Sequence, residues 1–263
     1  MTFVRVLLSK IALVLLVAVT AAAAQEPSTK IANAKPGDVR VLVSTGLKAS
    51  LDPVKANAEK AVGRPLVIEY GPSKGLQSQI EGGATFEAAI LTRDVIDAMT
   101  AKGKIVAGST TDIGHVVVAF AVKGDTPKNM DVESAAGIKA LLLGAKQVRW
   151  LGIGASAPTV TNLLGKLGIT NAVAGKTATE TSSQTAPQVA GPGEYEVLLN
   201  LNSELHPVNG WTILGTAPKE YQVPIVESVG VGAKGNAVAA KAFITFLLSP
   251  AFEKSLVASG MTR

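Results

Sequence analysis

The chain has 263 residues, 47% of them hydrophobic, no cysteine and a formal charge of +5. That length is one large domain or two small ones, and the missing thiols exclude disulfides, thiolate catalysis, thiolate metal sites and a lipidated N-terminal cysteine. Aromatics are only 4% and no basic cluster is interleaved with them, so the pattern of a nucleic-acid binder is absent.

Residues 1–24 read as a secretory signal. Arg5 and Lys10 are its positive region, Ile11 to Val19 its apolar stretch, and Ala22 and Ala24 fit a cleavage site. The apolar stretch is too short for a comfortable membrane span, so no stable membrane insertion is expected after cleavage. Losing Arg5 and Lys10 lowers the formal charge from +5 to +3. The expected location is a bacterial periplasm. Residues 25–38, polar and carrying Pro27 and Pro36, read as a flexible leader.

Val39 to Val43 reads as a strand ending in Ser44, Thr45 and Gly46. Leu47, Leu51, Val54, Ala58 and Val62 follow at helical spacing, with Asp52 and Pro53 placed to cap and start the helix. Pro65 to Tyr70 is a second strand. Gly71-Pro72 is a turn signal, and Ser73 falls at an N-cap position, since Leu76 and Ile80 share the next helix face. A serine there sits beside unpaired N–H groups at the positive end of a helix dipole, with Lys74 adjacent, and this arrangement suits an anion. Phe86 to Leu91 is a third strand, followed by Thr92, Arg93 and Asp94 and a helix marked by Val95, Ile96 and Met99.

Three strand–helix units predict a parallel α/β sheet, whose ligands bind where the carboxyl ends of strands turn into helices. Val116 to Val122 then forms a long β-prone run, after which the pattern restarts. Val132 to Ala145 reads as a helix, Gln147 to Leu151 as a strand, Ala157 to Leu167 as a helix and Glu196 to Asn202 as a strand. Pro224 to Val231 is a second long β run, before helices at Ala237–Leu248 and Pro250–Ala258. The order predicts two α/β lobes joined by two long strands. Residues 39–117 and 226–263 form the first lobe, 118–225 are inserted as the second, and the ligand cleft lies between them.

In the second lobe, Gly152-Ile153-Gly154-Ala155-Ser156-Ala157 follows a strand and precedes a helix. It matches a dinucleotide fingerprint, but the acid expected about 20 residues on is missing, and the next acid is Glu180. The same turn offers Ser156 and nearby N–H groups to a small anion instead. Arg93 and Arg149 could each grip a carboxylate. Asn200 and Asn202, two apart, are expected on one strand face toward the cleft. Two lone histidines make a zinc site improbable; no metal and no cofactor are expected. His115 opens the first long run and titrates near neutral pH, which makes it the first candidate for a proton donor or acceptor. His206 falls in a loop.

Taken in order, several segments resemble type II periplasmic solute-binding proteins, in the molybdate-binding-protein-like group whose branch includes aconitate isomerase. They are the Ser73 turn with Gly75 to Ala84, Thr92-Arg93-Asp94, Leu163 to Ile169, Asn202 to Leu205, Leu214-Gly215 before Pro218 to Gln222, and Phe246 to Met261. The resemblance spans residues 39 to 263. It implies a monomer that closes on a small-molecule anion, with an ABC transporter permease as partner for a binding protein. Ser73 matches the family's second-strand serine and Ser156 its second-lobe helix start. Gly46 stands where a first serine is expected, and Leu201 near where a tyrosine is. Half of the set that suits a tetrahedral oxyanion is therefore absent, which directs the expectation to a di- or tricarboxylate, bound or isomerised as in aconitate isomerase; the alternative is the solute-binding component of an ABC transporter for a molybdate-like oxyanion or other small anion. Ser44, Thr45, Gly46, Ser73, Lys74, Arg93, Ser156, Asn200 and Asn202 are the expected ligand-binding residues, with His115 catalytic; for the proton shift that the resemblance implies, Glu204 or Glu227 is the second choice of base.

Overall fold

A computed structural model of the protein describes residues 35–126, 130–179, 187–206 and 210–263. The expected signal at 1–24 and most of the leader fall outside them. In chain order the elements are β1 (Val39–Ser44), α1 (Lys48–Leu51), α2 (Lys55–Val62), β2 (Leu66–Gly71), α3 (Ser73–Glu81), β3 (Ala88–Thr92), α4 (Arg93–Ala101), β4 (Thr111–Val116) and β5 (Val118–Gly124). After them come α5 (Ala135–Gly144), β6 (Gln147–Arg149), α6 (Ala157–Leu167), α7 (Thr170–Ala174), β7 (Thr177–Ala178) and β8 (Tyr195–Leu201). The chain ends with α8 (Asn202–Leu205), β9 (Thr212–Thr216), β10 (Ile225–Val231), α9 (Ala237–Leu247) and α10 (Pro250–Ala258).

The strands form two five-stranded sheets, ordered β2-β1-β3-β10-β4 and β7-β6-β8-β5-β9. In the first, β1 runs parallel to β2 and β3, and β10 returns antiparallel between β3 and β4. β1 is buried on both faces except at half-buried Arg40, which pairs with Glu87, as its Val and Leu residues require. One face packs Leu42, Ala89 and Leu91 against Leu76 and Ile80 of α3 and Val95, Ile96 and Met99 of α4. The other packs against Leu51, Phe243, Phe252 and Leu256, from α1, α9 and α10. The outer edge of β4 is closed by the chain end, where His115 and Thr262 exchange both backbone hydrogen bonds. In the second sheet β5 pairs antiparallel with β8 and β9, while β6 runs parallel to β7 and β8. Ile138, Leu141, Val160, Leu163 and Leu164 from α5 and α6 join its core.

Two corrections concern local structure. Asp52 does not cap a helix: its carboxylate takes the Lys48 ammonium and the Tyr70 hydroxyl instead, and 3-10 turns at Thr45–Leu47 and Asp52–Val54 break the segment into α1 and α2. The run from Val116 to Val122 is not one strand. It breaks at exposed Val117, where the chain leaves the first sheet and enters the second. Apolar character is continuous across the break because both strands are buried, so periodicity alone does not reveal it.

The chain returns through residues 217–224. There Gln222 ties the two crossings together: its Oε1 accepts the Val118 N–H at 3.1 Å, and its Nε2 donates to the carbonyls of Val118 and Ala217, each at 2.9 Å. Gln222→Ala strands these part-buried backbone groups. Its unfolding free energy in a urea titration is expected to fall by about 1–3 kcal/mol, and an unchanged midpoint would remove Gln222 from this role.

Candidate functional site

A cleft of about 860 Å³ opens between the two sheets. The first sheet contributes Ser73 and Lys74 from the start of α3, and Thr92, Arg93 and Asp94 from the start of α4. The second contributes the Gly152–Ala155 turn and Ala157, Pro158, Thr161 and Asn162 along one face of α6, while Val223 to Val226 line the strand that returns to the first sheet.

Local sequence explains each wall. Pro72, not Ser73, is the N-cap of α3, so Ser73 is the first helical residue. Its buried hydroxyl accepts the Thr92 N–H at 3.0 Å, which pins the start of α3 to the end of β3. Gly71 lets Leu76 close beneath the turn, since a Cβ there would lie 3.2 Å from that side chain. Opposite, the Gly154 N–H donates to the Leu151 carbonyl at 2.9 Å. A Cβ on Gly154 would lie 3.0 Å from the Leu151 side chain, so this glycine serves the turn's own packing. Ser156 is the N-cap residue of α6, 1% exposed, and its Oγ has no hydrogen-bond partner among the described residues.

Three helices of nine, nine and eleven residues thus place their first turns on one cleft. Each carries the positive end of a helix dipole, and α3 and α4 also carry unpaired first-turn N–H groups; in α6 the Ala157 N–H donates to the Gly154 carbonyl at 3.1 Å and Pro158 has no N–H, so its contribution is the dipole and the Ser156 hydroxyl. The cations there are already engaged. Lys74 pairs with Asp94 at 2.9 Å. Arg93 binds Asp97 through Nε and Asp112 through Nη1, both at 2.9 Å. Burial pushes the Asp94 carboxyl up, but hydrogen bonds from Thr92 and Lys74 outweigh it and hold the group below its ordinary range. These pairs are exposed and each is worth little, so a ligand carboxylate can displace them.

Of the residues expected from sequence, Ser73, Lys74 and Arg93 line the cleft, and Ser156 stands between the lining residues Ala155 and Ala157. Others lie in a buried seam where the sheets meet. Ser44 donates to Glu227 Oε1 at 2.9 Å, and Thr45 donates to Glu204 at 2.8 Å. Gly46 packs so closely that a Cβ would lie 3.0 Å from Leu201 and 3.2 Å from Glu227. Asn200 donates to Glu204 at 2.8 Å. Asn202 shares no strand face with it: the chain turns into α8 after Leu201, and the Asn202 amide reaches the Gly260 carbonyl at 3.2 Å. Arg149 is buried against Glu196 at 2.6 Å. His115 is exposed on the edge strand β4 and is not among the residues lining the cleft. Among the described residues no group of three or more His, Cys, Asp or Glu could hold a metal ion, and no helix is long and apolar enough to cross a membrane.

The sequence reading missed Thr161 and Asn162. They lie four residues beyond Ala157 and Pro158, so a helical projection of α6 from that turn would have found them. It also gave little weight to Glu227. This side chain is fully buried, and its Oε2 has no partner among the described residues. Burial pushes its carboxyl up to about 7; the Ser44 hydroxyl opposes the shift, and the charges of Glu204 and Asp94 add to it.

Residues 39–262 match the family of bacterial extracellular solute-binding proteins. The chain is 26% identical to the molybdate-binding protein ModA of Azotobacter vinelandii over 237 residues, 86% of this chain and 90% of that one. It is 24% identical to an aconitate isomerase of Pseudomonas sp over 241 residues, 89% and 91% of the two chains. The structure of the Azotobacter vinelandii periplasmic molybdate-binding protein superimposes with a TM-score of 0.70 at 18% identity, covering 86% of this chain and 99% of that one.

The Glu227 pKa carries a stability prediction with a definite sign. A carboxyl raised from 4.5 to about 7 on folding contributes fully below its unfolded value, and the contribution is lost as pH rises through the folded one. Glu227→Gln removes the ionisation. It is expected to match the wild type in thermal unfolding at pH 4.5 and to exceed it at pH 8 by on the order of 2 kcal/mol. A variant less stable than the wild type at both pH values would contradict the assignment.

Proposed function

We propose that this chain, which belongs to the family of bacterial extracellular solute-binding proteins, closes its cleft on a small organic polyanion, a di- or tricarboxylate. The observation that carries the reading is the convergence of three helix N-termini on one cleft, an arrangement that favours anions without a dedicated cation. The walls also present Ile153, Pro158, Val223, Pro224, Ile225 and Val226, which suit a carbon skeleton better than a bare oxyanion. Asp94 on the same wall is paired with Lys74 and offers a hydrogen-bond acceptor to any hydroxyl the ligand carries. Closure by bending at Val117 and within 217–224 would make residues 39–117 and 226–263 one moving body and 118–225 the other. In this reading residues 1–24 direct export to the periplasm, residues 25–38 are a leader, the protein acts as a monomer, and a membrane permease of the ABC class receives the ligand.

Binding is favoured over catalysis, because His115 is not among the lining residues and the lining carboxylate, Asp94, is held below its ordinary range and is therefore a weak base. The similarity to an aconitate isomerase over most of both chains supports a second reading, in which the bound acid undergoes an allylic proton shift.

A thermal-shift panel of mature protein with citrate, cis- and trans-aconitate, molybdate and sulfate tests the first reading. A tricarboxylate at one hundred times its Kd stabilises the folded state by about 2.7 kcal/mol through mass action and is expected to raise Tm above either oxyanion. Absence of a shift with every anion would contradict it. Ser73→Ala is expected to weaken the preferred anion about tenfold, in line with one lost hydrogen bond. Proton NMR of cis-aconitate incubated with the protein separates the two readings: an unchanged cis/trans ratio rules out the isomerase.

A further inference from the structure

Among the described residues Glu227 has no counter-cation, although other deeply buried carboxylates do: Glu87 meets Arg40 and Glu196 meets Arg149. Instead it occupies the seam between the sheets. Ser44 on β1 donates to its Oε1, Gly46 and Leu201 close over it, and Oε2 has no partner among the described residues. In the β ladders it stands opposite Thr92 of β3 and Gly114 of β4. Thr92 and its own neighbour Val226 both line the cleft, so the carboxyl lies directly behind the ligand wall. The charges that face it are Glu204 on α8 and Asp94 on α4, both negative. On β4, Asp112 is tied to Arg93 and Ser228, and His115 is exposed. Lys74 and Arg93, the cations of the wall, are engaged by Asp94, Asp97 and Asp112.

We propose that Glu227 is the specificity-determining residue that makes anion binding in this cleft proton-dependent: the neutral acid admits a polyanion, and the carboxylate repels it. The inference rests on the anion reading above. The proton comes from solvent and sits on Oε2, the oxygen that lacks a donor, and no other bond changes. Charge behind a low-dielectric wall is poorly screened, so a bound polyanion strengthens proton binding at Glu227. By reciprocity, a proton there strengthens polyanion binding to the same degree. Burial raises the titration of the group to near neutrality, which places this coupling in the range where an exported protein meets changing pH.

The test is calorimetry of tricarballylate, a saturated tricarboxylate that no allylic shift can alter, binding to the mature protein between pH 7.0 and 8.5. Each pH is measured in two buffers of different ionisation heat. The wild type is expected to take up close to one proton at the alkaline end and to lose affinity by up to about tenfold per pH unit. Glu227→Gln is expected to take up none and to hold a flat affinity. Asp94→Asn, an exposed change that removes one repelling charge, is expected to move the fall in affinity to lower pH, and it serves if the glutamine variant does not fold. A pH-independent affinity with no proton uptake in the wild type overturns this inference and leaves the anion reading standing. No binding at any pH overturns both.

Discussion

Parallel strands force every strand-to-helix turn onto one edge of a sheet, and here two such edges share a single cleft. The rest of the architecture follows from that constraint. Because α3, α4 and α6 all begin there, the positive ends of three helix dipoles converge, with unpaired first-turn N–H groups from α3 and α4, without any one loop having been shaped for a ligand. The Ser73 hydroxyl does not cap its own helix. It holds the neighbouring strand end through the Thr92 N–H, which keeps two of the helix starts in register. The crossings at Val117 and 217–224, laced by Gln222, set how the two edges meet.

The electrostatics of the site are a balance of unlike parts. Helix dipoles supply a diffuse positive field, while the discrete cations are neutralised by Asp94, Asp97 and Asp112. A ligand therefore gains most from backbone donors and only the surplus from Lys74 and Arg93. The seam behind the wall has the opposite character. Two carboxylates lie there: Glu227 accepts from Ser44, and Glu204 accepts from Thr45 and Asn200. Burial of one charge in such a place is costly, and protonation near neutral pH removes that cost. The buried group and the cleft are thus joined by the same field.

Much of the fold was legible from the chain. α10 begins and ends where Pro250, Ser249 and the apolar spacing put it, because a capping serine and an N1 proline act locally. β1, β3 and β8 read as strands since short β-prone runs, interrupted only by Arg40 in β1 and by Glu196 and Asn200 in β8, are flanked by turn residues and leave few alternatives. What local pattern could not supply was the partner of each polar side chain. Arg149 looked available for a ligand until the register of β6 with β8 brought Glu196, 47 residues away, against it. Asn200 and Asn202 looked like a pair until the turn into α8 separated them. Ser44, Thr45 and Gly46 were chosen for a site, and long-range pairing commits them to the seam. Glu227 carried no signal beyond being an acid in a β run; its surroundings come from β1, β3, β4 and α8 together.

The central claim is that an anion sits on the first turns of α3, α4 and α6. Backbone amide chemical shifts of the ¹⁵N-labelled mature protein, followed as tricarballylate is added, test it most directly. The amides of Ser73, Lys74, Arg93, Asp94 and Ala157 are expected to move together and saturate at one Kd. Saturable shifts confined to another region, such as the lysines 102, 104 and 234 on the far pocket of the first sheet, with these five unmoved, would contradict it.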